Sequence, residues 1–404
     1  MARTINMPIQ KISIQQLIAW EDRYPILDVR SPGEYAHGHI PGAYSLPLFT
    51  DEERKVVGTA YKQESQQEAI KKGLAYFGGR MVEMVGATEK IIGEDKTVIV
   101  HCWRGGMRSA GVAWLLDLYG FNVYTLTGGY KSFRRWCVAQ FGLEYAFRVL
   151  GGFTGSGKTL ILEALRAEGQ RVIDLEALAA HKGSVFGHLG EPPQPTQEMF
   201  ENRLALALAG AVGGAGVGDD ASGAMGNGIV GGVGIDATGS GAGGEVVGDD
   251  AGGDAADRGA GGAIWIEDES QRIGRVNIPV PLYHTIQCGS LFFLEIPFEQ
   301  RLQQIVREYG QFEKAALAGA IDCVKKRLGG QETKTALHLL EEGDISGCFA
   351  ILLKYYDKFY LKGLQQRSGA LSPIQRLPCD NTDAAGNAKM LLRQQHGVPN
   401  PDMQ

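Results

Sequence analysis

The chain has 404 residues, 44% hydrophobic and 21% charged, which excludes wholesale disorder and fibrous repeats. The formal charge of −6 is unevenly placed: residues 210–262 carry eight Asp/Glu against Arg258 alone, and the remainder is near neutral. Charge therefore neither demands nor excludes a nucleic-acid partner. A length of this order fits two or three domains of about 150 residues each.

The six cysteines are scattered without a C-x-x-C pair, which argues against a disulfide scaffold or structural zinc and for a reducing compartment. The first residues lack the apolar core of a secretory signal, and no apolar run is long enough to span a membrane. A soluble, cytoplasmic protein with no membrane partner is expected.

In chain order, strand-length apolar runs at Tyr24–Val29, Thr97–His101 and Asn122–Leu126 alternate with helical stretches over residues 1–140, as in a parallel α/β sheet. The style repeats from residue 145: strand Phe147–Leu150, helix Thr159–Ala167, strand Arg171–Ile173. Residues 263–404 add strands at Ala263–Ile266 and Leu291–Ile296, then long helical patterns at Phe298–Tyr309 and Cys348–Tyr360. Between them, residues 210–262 hold 21 glycines among 53 residues, with no aromatic residue and no Lys. Such a composition cannot bury enough apolar surface to offset its ordering entropy, so a disordered insertion is expected there. The expected fold is α/β throughout: one parallel-sheet domain over 1–140, and a second over 145–404, interrupted by 210–262 and ending in a helical tail.

Two loops carry chemistry. Cys102, Trp103, Arg104, Gly105, Gly106, Met107 and Arg108 stand between the buried strand TVIVH and a helical run from Ser109. A loop from a strand end into a helix N-terminus turns its N–H groups inward and adds the helix dipole. Two arginines add charge, so the Cys102 thiol should ionise readily and act as a nucleophile. The other five cysteines read as small buried hydrophobes.

The second loop, Gly152-Phe153-Thr154-Gly155-Ser156-Gly157-Lys158-Thr159, fits G-x-x-x-x-G-K-[ST] directly after a strand and before a helix. Its N–H groups and Lys158 would cradle a di- or triphosphate, with Thr159 on Mg²⁺. Glu267, in the strand end Ile266-Glu267-Asp268-Glu269, reads equally as a metal-organising carboxylate or as a solvated strand end. Arg301 and Arg307 read as lid arginines or, more simply, as part of an amphipathic helix.

Asp28-Val29-Arg30-Ser31-Pro32-Gly33-Glu34-Tyr35 with Gly38-His39-Ile40-Pro41-Gly42-Ala43 resembles the N-terminal signature of rhodanese domains. Leu126-Thr127-Gly128-Gly129-Tyr130, with Phe133 and Trp136, resembles their C-terminal one. Cys102 falls where that family carries its persulfide-forming cysteine; Asp28, Gly38, His39 and Pro41 read as turn and scaffold residues. Arg108-Ser109 comes one residue later than in many rhodaneses. The spacing His-Cys-x-x-Gly-x-x-Arg-Ser also matches cysteine-dependent phosphatases, where the Arg clamps a tetrahedral phosphate. A wider cup, suited to a phosphate-sized donor, is expected.

Beyond the phosphate loop, Asp174-Leu175-Glu176, the run Ala180–Gly187, Gln194-Pro195 and Glu269-Ser270-Gln271-Arg272-Ile273-Gly274 resemble the tRNA 2-selenouridine synthase family. With the HCWRGGMRS loop, the resemblance covers the chain except residues 210–262. It implies conversion of 2-thiouridine at the tRNA wobble position to 2-selenouridine through an S-geranyl intermediate. Geranyl diphosphate and selenophosphate would be co-substrates, the phosphate loop would hold the diphosphate with Mg²⁺, and Cys102 would carry selenium. Lys131, Arg134, Arg135 and Trp136 form one candidate RNA patch, against the plainer reading of a solvated helix face. The competing functional readings are a rhodanese-fold cysteine phosphatase or sulfurtransferase with an NTP-binding regulatory domain, and a non-catalytic relay or scaffold that binds ATP.

Overall fold

The computed structural model describes residues 9–20, 23–93, 95–213, 262–367 and 374–395. The first sheet holds β1 (Gln10–Ile12), β2 (Ile26–Asp28), β3 (Tyr44–Ser45), β4 (Thr97–His101) and β5 (Asn122–Leu126). All neighbours are parallel, in the order β1-β5-β4-β2-β3. Its helices are α1 (Ile14–Trp20), α2 (Pro32–His37), α3 (Asp51–Gln63), α4 (Gln66–Ile91), α5 (Met107–Tyr119) and α6 (Gly129–Gln140). Strand β4 is buried along its whole length, as its unbroken apolar run requires of a central parallel strand.

The second part contains β6 (Phe147–Gly152), β7 (Val172–Ile173), β8 (Ile264–Glu267), the antiparallel pair β9 (Arg272–Ile273) and β10 (Val276–Asn277), then β11 (Ser290–Glu295) and β12 (Ile374–Pro378). Five of these form a parallel sheet in the order β12-β11-β6-β8-β7, which puts the strand feeding the phosphate loop at the centre. Around it lie α7 (Lys158–Ala167), α8 (Leu175–Ala179), α9 (Gln197–Gly213), α10 (Val280–Cys288) and α15 (Ala384–Gln395). Helices α11 (Phe298–Tyr309), α12 (Lys314–Leu328), α13 (Gly330–Glu342) and α14 (Ile345–Arg367) share a core of their own, which Phe186 and Leu189 join. Among the described residues no helix is long and apolar enough to cross a membrane.

Helix α9 joins the two parts. Its Phe200, Leu204, Ala205 and Leu208 recur at helical spacing and pack in one cluster with Tyr130, Phe133, Cys137 and Phe141 at or after α6. Burying each of the large side chains contributes about 1.5–3 kcal/mol. The Gly-rich stretch expected to begin at 210 starts later, because α9 continues to Gly213 with Ala211 against this cluster. Residues 214–261, on which the rest of that expectation falls, lie outside the described residues.

Candidate active site

Cys102 follows the last residue of β4, and its side chain is buried. Met107 and Arg108 already lie in the first turn of α5, so the loop is two residues shorter than its sequence suggests, ending at Gly106. The Ser109 hydroxyl sits 3.3 Å from Cys102 Sγ and 3.1 Å from the Gly106 carbonyl, so its single proton can face either atom. Burial alone would push the thiol up. Hydrogen bonds from the Ser109 side chain and main chain and from the Arg104 main chain, with the Arg108 charge, outweigh it and hold Cys102 below the ordinary thiol value.

The cup is braced from beneath by the first turn of α6. The N–H groups of Tyr130 and Lys131 donate to the carbonyls of Cys102 and Trp103, both at 2.9 Å. Gly129 has φ +58°, and a Cβ there would lie 2.6 Å from Gly105 N and collide with the Cys102 carbonyl. Only glycine permits that approach. Arg108, expected to clamp a tetrahedral anion, instead donates to Glu34 Oε2 at 2.9 Å. The Glu34 carboxyl loses solvent, which raises it, but Arg108 holds it below the usual carboxylate value. Arg104, Gly105 and Gly106 are exposed at the rim, and Trp103 is half-buried.

Behind the cup, Asp28 and Arg30 form a buried pair at 2.6 Å, and the Arg30 guanidinium lies 3.8 Å over the Tyr130 ring. The Tyr130 hydroxyl donates to Glu198 at 2.8 Å and accepts from Asn202, which also reaches the His39 carbonyl at 2.8 Å. Arg134 donates to Asn202 and Glu201, both at 2.6 Å. This corrects the candidate RNA patch: Arg134 is spent on the seam between domains, Trp136 packs on its core, and only Lys131 and Arg135 stay exposed.

In the second domain, Gly152 closes β6, Gly157 caps α7, and Lys158 and Thr159 open that helix. Gly155, at φ +82°, lets the loop approach α11: a Cβ there would meet the Arg301 carbonyl at 2.7 Å. Arg301 is buried, pairs with Asp357 at 2.7 Å and donates to the Thr154 carbonyl at 3.2 Å. It therefore struts the phosphate loop and is no lid. Arg307 stays exposed on the same helix. The Ser156 hydroxyl is buried without a partner, and Lys158 Nζ reaches the Gly152 carbonyl at 3.4 Å.

Thr159 donates to Glu176 Oε2 at 3.0 Å, whereas Glu267 accepts from Leu175 N at 2.7 Å. Glu176 is thus the carboxylate at Thr159, in place of the expected Glu267, because register puts Glu267 beside Leu150, under the loop after β7. Neither Glu267 nor Glu269 is a solvated strand end, since Glu267 is buried and Glu269 half-buried. Burial, and then the repulsion of Glu269 and Asp174 against the opposing charge of Lys158, pushes Glu176 up to about 8. Burial also raises Glu267 and Glu269.

A divalent cation fits here: it would relieve this crowding, with Thr159 and Glu176 as its protein ligands and phosphate oxygens as the others. No group of three or more His, Cys, Asp or Glu among the described residues is arranged to hold a metal alone. The run from Ala180 to Gly187 and the strand-end acids meet at this point. A Cβ at Gly183 would lie 2.7 Å from Glu269, and Gln194 ties Ala179 to Ile273 at 3.0 and 3.2 Å.

Of the other cysteines, Cys137, Cys348 and Cys379 are buried, and burial pushes their thiols up to about 12, 11 and 11. Cys288 and Cys323 are exposed, against the expectation of burial, because each lies in the last turns of a helix whose inner face is filled by other residues.

The rhodanese-like domain family matches residues 13–135, so the first third of the chain is a rhodanese-like domain fused to a phosphate-loop α/β domain. The family described as tRNA 2-selenouridine synthase AAA domain matches residues 145–215 and 255–374. A tRNA 2-selenouridine synthase of Shewanella denitrificans is 31% identical over 377 residues, covering 85% of this chain and 89% of its own. That of Azotobacter vinelandii is 32% identical over 370 residues, covering 83% and 86%. A solved rhodanese-related protein of Thermoplasma volcanium is 23% identical, covering 30% of this chain and 88% of its own, at a TM-score of 0.19. The chain belongs to the tRNA 2-selenouridine synthase family.

Proposed function

We propose that this enzyme converts 2-thiouridine at the tRNA wobble position to 2-selenouridine through S-geranyl-2-thiouridine. The observation that carries the reading is one chain holding two separate loops, one with a buried thiol held below its ordinary value ahead of α5 and the other a phosphate loop. The thiouridine sulfur attacks C1 of geranyl diphosphate, the C–O bond breaks, and diphosphate leaves. The main-chain N–H groups around Ser156 and the Lys158 ammonium stabilise the charge developing on it. Mg²⁺, held by Thr159 and Glu176, would supply further charge for the same leaving group. Alkylation turns the sulfur into a good leaving group: the selenium of selenophosphate attacks C2, the C2–S bond breaks and geranethiol leaves. The Cys102 thiolate then attacks phosphorus, the Se–P bond breaks to leave 2-selenouridine, and water releases phosphate from the phosphocysteine.

Glu34 supports this reading over a phosphatase. A phosphatase needs an acid to protonate the leaving oxygen, but the carboxyl that pairs with Arg108 is held ionised. The test is intact-protein mass after treatment with selenophosphate and an S-geranylated anticodon stem-loop. A phosphocysteine at Cys102 that forms only when both are present, weakened by Arg108→Ala, is expected. A phosphocysteine formed from an aryl phosphate without RNA would decide for the phosphatase.

A further inference from the structure

We propose that the cleft beside the Cys102 loop seats the single-stranded RNA around the modified base, with Trp103 as the stacking platform and Lys55 as a phosphate contact. The proposal rests on the RNA-modifying reading above and gives that reading its docking residues. The cleft has a volume of about 530 Å³ and is walled by Trp103, by Arg54 and Lys55 of α3, by His37 at the end of α2, and by Glu198 of α9. This volume lies within the roughly 300–1,000 Å³ of built ligand sites.

Its position is the one that sheet topology favours. Strands β2 and β4 are neighbours, β3 lies outside β2, and β5 lies outside β4, so the winding reverses between them. In open parallel sheets, ligands bind beyond the carboxyl ends of the strands at such a reversal. Arg30 and Ser31 follow β2, Trp103 follows β4 by two residues, and all three line the cleft. Glu198 brings the second domain to the same wall, so an occupant would touch both halves of the enzyme.

The lining chemistry selects the occupant. Trp103 is its one large apolar side chain, too little for a protein partner but suited to a splayed base. The ring is held at 5.7 Å from the Tyr130 ring, so the platform is set before RNA arrives. The acids of the cleft are committed elsewhere: Glu34 to Arg108 and Arg54, Asp51 to Gly33 N at 3.0 Å, and Glu198 to Tyr130. Lys55 is exposed and makes no ion pair among the described residues, leaving a cation for the backbone.

The experiment measures binding of a fluorescein-labelled anticodon stem-loop, with 2-thiouridine at the wobble position, to the full chain across salt concentrations. Trp103→Leu should weaken binding roughly 5- to 150-fold with an unchanged salt slope, and Trp103→Phe should restore most of it. Lys55→Ala should weaken binding and reduce the salt slope by about 1. Melting by circular dichroism verifies that each variant is folded. Wild-type affinity and slope in folded Trp103→Leu and Lys55→Ala would overturn the cleft proposal. A wild-type enzyme that binds the stem-loop through these residues, yet forms no phosphocysteine with selenophosphate and the S-geranylated stem-loop, would overturn the Cys102 reading and leave the cleft standing.

Discussion

The main-chain N–H of Tyr130 donates to the carbonyl of Cys102 at 2.9 Å, while the far end of the same side chain reaches Glu198 of the other domain. One residue therefore braces the nucleophile loop and the domain seam. The backbone half of this brace depends on the glycine before it, whose Cβ would collide with the Cys102 carbonyl.

Gly129→Ala should therefore act on Cys102 without touching its side chain. The left-handed backbone alone costs about 1–2 kcal/mol for a residue with a Cβ, before the collision is counted. Urea unfolding should show at least that loss, and iodoacetamide should alkylate Cys102 with a raised pH midpoint. Wild-type stability and reactivity would mean that the turn does not set the cup.

The thiol makes a second, pH-resolved prediction. Ser109 is the largest of the influences lowering Cys102, against the opposing effect of burial. In the wild type, alkylation should reach its plateau at a pH below that of a free cysteine, because thiolate is the reactive form. Ser109→Ala should move the midpoint upward toward and beyond the ordinary thiol value, since burial then acts with less opposition. A midpoint that does not move would remove Ser109 from the account.

How much of this was legible in the sequence depends on how local each feature is. Both anion loops could be read because strand, loop and helix follow one another within a few residues, as at Thr97–Tyr119 and Phe147–Ala167. The carboxylate at Thr159 could not, because Glu176 follows the short β7 and Glu267 ends the short β8, and only sheet register separates them. Helix α4 was hidden by Gly73, Gly78, Gly79 and Gly86, which weaken helix propensity; packing of Phe77, Met84 and Val85 overrides it. Arg134 looked like an RNA contact because its partners, Glu201 and Asn202, lie far along the chain on α9.

Asn202 should be the most sensitive position in the seam. It is fully buried, donates to the His39 carbonyl and the Tyr130 hydroxyl, and accepts from Arg134. Asn202→Ala strands those groups, and each buried polar group left without a partner costs about 1–3 kcal/mol. Urea unfolding followed by near-UV circular dichroism should show a loss of that size. A change like that of an exposed substitution would mean water replaces the amide and the seam is not held there.

The two sites should fail separately. Cys102→Ala is expected to stop selenium incorporation while geranylation persists, and Lys158→Ala to weaken geranylation by removing charge at the diphosphate. Mass spectrometry of the wobble nucleoside reads both products in one digest. Equal loss of both steps in folded Cys102→Ala would contradict the division of labour.

The last prediction concerns Glu176, whose carboxyl is pushed up to about 8, first by burial and then by Glu269 and Asp174 against the opposing Lys158. The unfolded chain releases this proton near the ordinary carboxylate value of about 4.3, whereas the folded chain keeps it until much higher pH. Across that window the native state binds more protons than the unfolded one, so stability falls as pH rises. The melting temperature should accordingly decline between about pH 5 and pH 8 in the ligand-free protein. Glu176→Gln should flatten part of the decline, since Glu267 and Glu269 are shifted in the same direction and keep their share. Mg²⁺ with diphosphate should raise the melting temperature more at the upper end of the range, where a cation meets an ionised carboxylate that needs it. A Glu176→Gln profile parallel to wild type, with no pH dependence of the Mg²⁺ effect, would show that this carboxyl is not the crowded one.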